Sequence, residues 1–374
     1  MVLEQNKDFF SSGEYGCAIY PRVKCNNNNK RNNRKDSQMI SKVTIKDFYS
    51  ENEYSIGKIL RKNNELGYFI PIEKKCSINN KKITEINSKY ECKATQENKK
   101  NKKFVLLYSK FDPSVQLSDV LHSSDNNIKM IYKYYLFTLK CIDILIQNNI
   151  VHNDLHLANI ILNKKGEFKL IDFGLSIHYD KVKNKDGTIN FEYLVPVLIT
   201  FDDMWCYWSI EKHFLNYLVF KNKQLSHETI VEIINNYYDN NKVFNMLYTK
   251  HELYKYKKTV IYFYKEKYSS MSIEDAIKEI LDNSYKTWDL YQLSYLMIYL
   301  FHDKLENPIL SSFVDIFKKN LHYDYTKRLS IENILKLNYA LLSEHKESNV
   351  FHESVLLTKE MLSHVTLSQA NTIY

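Results

Sequence analysis

The first hundred residues alternate short apolar runs with longer polar stretches. Ala18 to Tyr20, Met39 to Ile45, Tyr68 to Ile72 and Phe104 to Tyr108 are bounded by turn formers and predict strands. Ser50 to Leu60 instead has helical spacing. Tyr49, Ile56 and Leu60 fall on one face, and Glu53 falls on the same face. From about residue 115 the helical period dominates. Ile128 to Asn148 predicts a long helix, and Glu228 to Tyr238, Ile273 to Leu281, Leu290 to Phe301 and Ile331 to Leu342 predict others. Ser272 followed by Asp275 marks a helix start. Asn159 to Leu162 and Phe168 to Ile171 flank Asn163-Lys164-Lys165-Gly166-Glu167, a hairpin signal with glycine at the turn.

This pattern predicts an α+β chain with a small β-rich lobe followed by a larger helical lobe. The first lobe spans 1–111, with polar insertions near 22–37 and 74–103. The second spans 112–345, with a helical insertion near 212–285, and a polar tail occupies 346–374. A ligand cleft is expected between the two lobes.

Composition narrows the class. Of 374 residues, 44% are hydrophobic and 14% aromatic, which excludes wholesale disorder. No apolar run approaches the roughly 18 residues of a membrane span, and Met1 to Phe10 has no signal-peptide core, so a soluble intracellular protein is expected. The six cysteines contain no C-x-x-C pair and read as scattered reduced thiols. The net charge of +8 comes largely from Lys24 to Lys35 and Lys74 to Lys103. These stretches read as solvated loop insertions, with nucleic-acid or polyanion binding the subordinate alternative. Only seven glycines occur, where average usage predicts about 26. Those seven should mark positions where nothing else works.

The densest chemistry runs from 150 to 174: Ile-Val-His152-Asn153-Asp154-Leu155-His156-Leu157-Ala158-Asn159, then Ile171-Asp172-Phe173-Gly174. His152, Asp154, Asn159, Asp172, Phe173 and Gly174 match H-R-D-L-x-x-x-N followed by D-F-G. Upstream, Ser11-Ser12-Gly13-Glu14-Tyr15-Gly16-Cys17-Ala18 aligns with G-x-G-x-x-G-x-V, with Ser11 at the first glycine and Ala18 at the valine. The chain thus resembles the eukaryotic-type protein kinase superfamily. Its His-Asn-Asp-Leu-His wording and Asn/Lys-rich insertions are similar to serine/threonine kinases of large DNA viruses, of the mimivirus kind.

The resemblance implies a two-lobed fold and an ATP-dependent serine/threonine kinase that uses Mg²⁺ and a protein substrate. Asp154 becomes the base that orients the acceptor hydroxyl, and Asn159 and Asp172 become the metal ligands. Ser11, Gly13, Gly16 and Ala18 cover the phosphates. The phosphate-binding lysine is Lys42 or Lys46, and Lys42 is preferred because it sits centrally in its strand. It would pair with Glu53, whose alternative role is a capping box with Ser50. Asp289, in Trp288-Asp289-Leu290, should brace the catalytic loop. Arg328, in Asp324-Tyr325-Thr326-Lys327-Arg328, should pair with Glu211.

Two residues depart from the pattern. Asn153 replaces the usual Arg, which predicts activity without loop phosphorylation. His156 replaces the catalytic-loop Lys and occurs in the similar wording of aminoglycoside and choline kinases. A small-molecule kinase and an inactive pseudokinase scaffold therefore stand as alternatives.

Overall fold

The computed structural model describes residues 9–12, 16–25, 38–96, 102–123, 128–198, 205–302, 308–344, 355–356 and 358–363. Gly13 and most of the 22–37 insertion lie outside the described residues. In chain order the elements begin β1 (Phe9–Ser12), β2 (Gly16–Tyr20), β3 (Met39–Ile45), α1 (Phe48–Leu60), β4 (Lys74–Ile78), α2 (Asn80–Lys89), α3 (Lys93–Gln96), β5 (Phe104–Lys110), β6 (Ser114–Gln116) and α4 (Leu117–Ser123). There follow α5 (Ile128–Gln147), β7 (Ile150–Val151), β8 (Ile160–Asn163), β9 (Phe168–Leu170), β10 (Ile177–His178), α6 (Phe191–Val197), α7 (Ile210–Lys221) and α8 (His227–Asp239). The last are α9 (Lys242–Leu247), α10 (Lys250–Tyr268), α11 (Ile273–Ser284), α12 (Trp288–Phe301), α13 (Pro308–Asn320) and α14 (Ile331–Glu344).

The chain forms two compact units, one of Met1–Asp125 with Leu157–Ser176, the other of Asn126–His156 with Ile177–Tyr374. The first holds an antiparallel sheet in the order β1-β2-β3-β5-β4 and a smaller sheet in the order β6-β8-β9. The pleat alternates the faces of β5. Phe104, Leu106 and Tyr108 join one core cluster, with Ile19, Met39 and Val43. Val105 and Leu107 face the other way and pack with Ile72.

The segment 74–96 corrects the expectation of a solvated loop. It supplies the edge strand β4 and two helices, because Ile78, Ile83 and Ile86 reach the sheet core between exposed lysines and asparagines. Tyr68 to Ile72 makes no strand. Phe69 forms one isolated parallel bridge with Leu170, and two backbone bonds hold the segment to β9. The reduced-thiol reading is corrected too. Cys17 pairs with Cys92 and Cys25 with Cys76, with Cα atoms 5.8 and 6.1 Å apart, inside disulfide range. Both links tie the 74–96 segment to β2 or the chain just after it. Cys141 and Cys206 remain free thiols.

The second unit is almost wholly helical, with β7 and β10 as a short antiparallel pair. α12 is buried nearly all round, as its uninterrupted apolar sequence requires. The 212–285 insertion forms helices whose core is aromatic. Tyr237, Tyr238, Phe244, Tyr264 and Tyr268 are all buried there. No described helix is long and apolar enough to cross a membrane.

Candidate active site

In the first unit, β3 presents Lys42 and α1 presents Glu53. Asp47 caps α1 and forms its capping box with Ser50, so Glu53 is not a capping residue. Glu53 is buried, and Lys42 Nζ donates to its Oε2 at 3.0 Å. The same ammonium donates to both carboxylate oxygens of Asp172, at 3.1 and 3.2 Å. Lys46 follows the last residue of β3. Burial opposes the Lys42 charge, yet the Asp172 and Glu53 carboxylates outweigh it and hold the ammonium above its ordinary range. Burial pushes Glu53 up to about 7. Lys42 draws it down, and the negative Asp172 adds to the rise.

This triad forms the polar end of a cavity of about 510 Å³ within the first unit, a size that suits a nucleotide-scale ligand. Ser11, Gly16 and Ala18 line it from the β1–β2 hairpin, and Ile40, Ile161 and Ile171 supply apolar walls. Gly16 is demanded by packing, since a Cβ there would lie 2.8 Å from the Val43 carbonyl oxygen. Gly57 on α1 has a similar reason. Its Cβ would meet the Ile72 backbone at 2.8 and 3.0 Å, so only glycine lets the helix carrying Glu53 seat against that chain.

The β8–β9 hairpin fixes the candidate metal ligands. Asn159 directly precedes β8, and its carbonyl accepts from the Ile171 N–H at 3.0 Å, which sets Asp172 at the other end of the hairpin. Asp172 has a left-handed φ of 62°, a conformation that Asp tolerates better than most residues. Asn52 donates to the Gly174 and Ser176 carbonyls at 3.0 and 2.7 Å, bracing the D-F-G backbone, while Phe173 packs edge-on against Phe69. A carboxylate and an amide oxygen suit a hard divalent cation. Among the described residues no cluster of three His, Cys, Asp or Glu side chains could hold a metal.

In the second unit, Asp154 and His156 follow β7. His156 Nε2 lies 3.5 Å from Asp154 Oδ2. Asp289 of α12 is buried and accepts from the His152 and Asn153 N–H groups at 2.6 and 3.0 Å. Burial raises its carboxyl above the ordinary value, against His152 and these two backbone bonds. Gln292, one turn on, accepts from the Leu155 N–H at 2.9 Å and donates to the Asn153 carbonyl at 3.1 Å. Asp154 therefore sits between two residues whose backbones are fixed. Arg328 forms a fully buried bidentate pair with Glu211, at 2.6 and 2.9 Å, and also donates to Thr287 and the His322 carbonyl.

Asn52, Gln292 and Lys212 escaped the sequence reading. Of the three, only Gln292 interrupts an apolar run; Asn52 stands between Glu51 and Glu53, and Lys212 between Glu211 and His213.

A model of the protein kinase domain matches residues 70–340. Protein kinase 3 of Dictyostelium discoideum is 27% identical over 196 residues, 45% of this chain and 22% of that protein. A probable serine/threonine-protein kinase of the same organism is 27% identical over 178 residues, 43% of this chain and 28% of its own length. Spermatocyte protein spe-8 of Caenorhabditis briggsae is 33% identical over 95 residues, 25% of this chain and 18% of that protein. The match thus spans less than a third of each relative. With the domain match covering most of the chain, and with a β-rich N-terminal part and a mostly helical remainder, this protein belongs to the protein kinase family and has its fold class.

Proposed function

We propose that this chain transfers the γ-phosphate of ATP to a serine or threonine hydroxyl of a protein acceptor. The observation that carries the reading is Lys42 held between Glu53 and Asp172 at the polar end of an apolar-walled cavity. The walls suit a purine, and an ammonium kept charged by two carboxylates suits the phosphates. Asp172 and Asn159 would hold Mg²⁺, which when bound neutralises charge on the triphosphate. Asp154 accepts the proton of the acceptor hydroxyl, and the fixed backbone on either side of it sets the carboxylate before substrate arrives. His156 stands beside it to meet the phosphoryl group. Catalytic-loop wording and insertions shared with kinases of large DNA viruses support a viral source.

The test offers labelled ATP and Mg²⁺ with a basic protein and, separately, with an aminoglycoside or choline. Label on serine or threonine of the protein is expected. Label on the small acceptor alone would overturn the acceptor class. Bound ATP with transfer to neither would mark a scaffold.

A further inference from the structure

Lys212 is the third residue of α7 and is fully buried, although its neighbour Glu211 already has a partner in Arg328. Burial works against its charge and pulls the amine down to about 7, with the Asp289, Glu211 and Asp154 carboxylates opposing the fall, and an apolar side chain of equal length would fill the same space more cheaply. The Lys212 ammonium lies 3.8 Å from the centre of the Trp208 ring and 5.1 Å from that of Trp288. It donates a hydrogen bond to Asn153 Oδ1.

Asn153 is the residue before Asp154, and its φ of 70° is left-handed. Its N–H donates to Asp289, and its carbonyl accepts from Trp208 Nε1 at 3.2 Å and from Gln292. Its side-chain Nδ2 donates to the Val197 carbonyl of α6 at 2.9 Å. Lys212 donates to Oδ1, the acceptor atom of this buried amide. Its removal would break that bond and with it a tie between α7 and the Asn153 amide.

We infer that Lys212 is a positioning residue for phosphoryl transfer, fixing the backbone that carries Asp154 through the Asn153 amide. This rests on the reading of Asp154 as the catalytic base. Lys212 touches no substrate in this account. It removes conformational freedom from the residue next to the base, so its loss should lower turnover without altering nucleotide affinity.

The test compares the full-length wild type with Lys212→Met, Asn153→Gly and the double variant. Glycine keeps the left-handed backbone of residue 153 while removing the amide, so this second variant probes the same bond if Lys212→Met folds poorly. In Lys212→Met, amide hydrogen exchange across 152–155 is expected to quicken by about tenfold or more, with protection elsewhere unchanged. Turnover is expected to fall about 10²-fold, with the KM for ATP within about twofold. The double variant should be no worse than the worse single one, since both remove the same bond.

Wild-type exchange across 152–155 in Lys212→Met would overturn the inference, as would equal loosening of every helix in the unit, which would mark a merely structural lysine. If the wild-type protein transfers no phosphate, the proposed function fails, while the exchange measurement still decides the positioning role.

Discussion

Buried Glu53 shares one ammonium with the more exposed Asp172 in the first unit. Burial holds its carboxyl near 7, against an unfolded value near 4.5. Between those values the native state binds more protons than the unfolded state, so this group's contribution to stability is full below 4.5 and is lost as pH rises through 7. Glu53→Gln should therefore flatten the loss of stability across that window, measured by denaturant unfolding at several pH values. A variant with the wild-type slope would place the titration elsewhere. The Lys42 ammonium keeps its charge throughout. Lys42→Met is expected to lower ATP turnover by about 10²–10³, as for other fixed electrostatic contacts, and to lower the melting temperature because Glu53 stays buried without its cation, whereas Lys46→Met should leave turnover near wild type. The reverse pattern would reassign the phosphate lysine.

Helix α1 shows how tightly an element is set by one residue. Gly57→Ala places a methyl group against the Ile72 backbone. It should destabilise the protein by about 1–3 kcal/mol, the usual cost of overpacking, and it should weaken ATP binding by displacing Glu53. At the other end of the chain, Arg328→Glu faces Glu211 with a second buried carboxylate. Breaking such a pair costs about 3–5 kcal/mol, so the variant should melt early or fail to fold, and an unchanged melting curve would sink the pairing. Helix α1 was legible because Glu53 interrupts an apolar face, whereas Arg328 and Glu211 were legible only through the family resemblance. Strand β3, helix α5 and the β8–β9 hairpin were legible from their clean period. Strand β4 and helix α2 were hidden because lysine and asparagine outnumber Ile78, Ile83 and Ile86, and the local composition of that segment looks like a loop. Tyr68 to Ile72 misled in the opposite sense. Its apolar residues wall the cavity and join a core, but its backbone pairs only at Phe69 and its neighbours.

Across the whole molecule the candidate site residues are divided between the two units. Lys42, Glu53, Asn159 and Asp172 belong to the first, and Asp154, His156 and Asp289 belong to the second. Four of the six cysteines follow pairings that no motif announced, because Cys17 with Cys92 and Cys25 with Cys76 are brought together by the folding of the 74–96 segment. Thiol titration of the unreduced, denatured protein should count the two free cysteines, and a digest should link the other four in these pairs. Six reactive thiols would contradict it. The family and its residue pattern were legible from the glycine loop, the catalytic loop and the D-F-G segment. The braces behind them were not, since Gln292, Asn52 and Lys212 act through contacts distant in sequence. The division of labour predicts that nucleotide binding and phosphate transfer separate under mutation. The measurement is ATP binding and labelled-phosphate transfer to a basic protein, made on the wild type and on Asp154→Asn. The account predicts that both bind ATP with similar affinity and that only the wild type transfers phosphate. Transfer at the wild-type rate by Asp154→Asn, or none by the wild type, would contradict it.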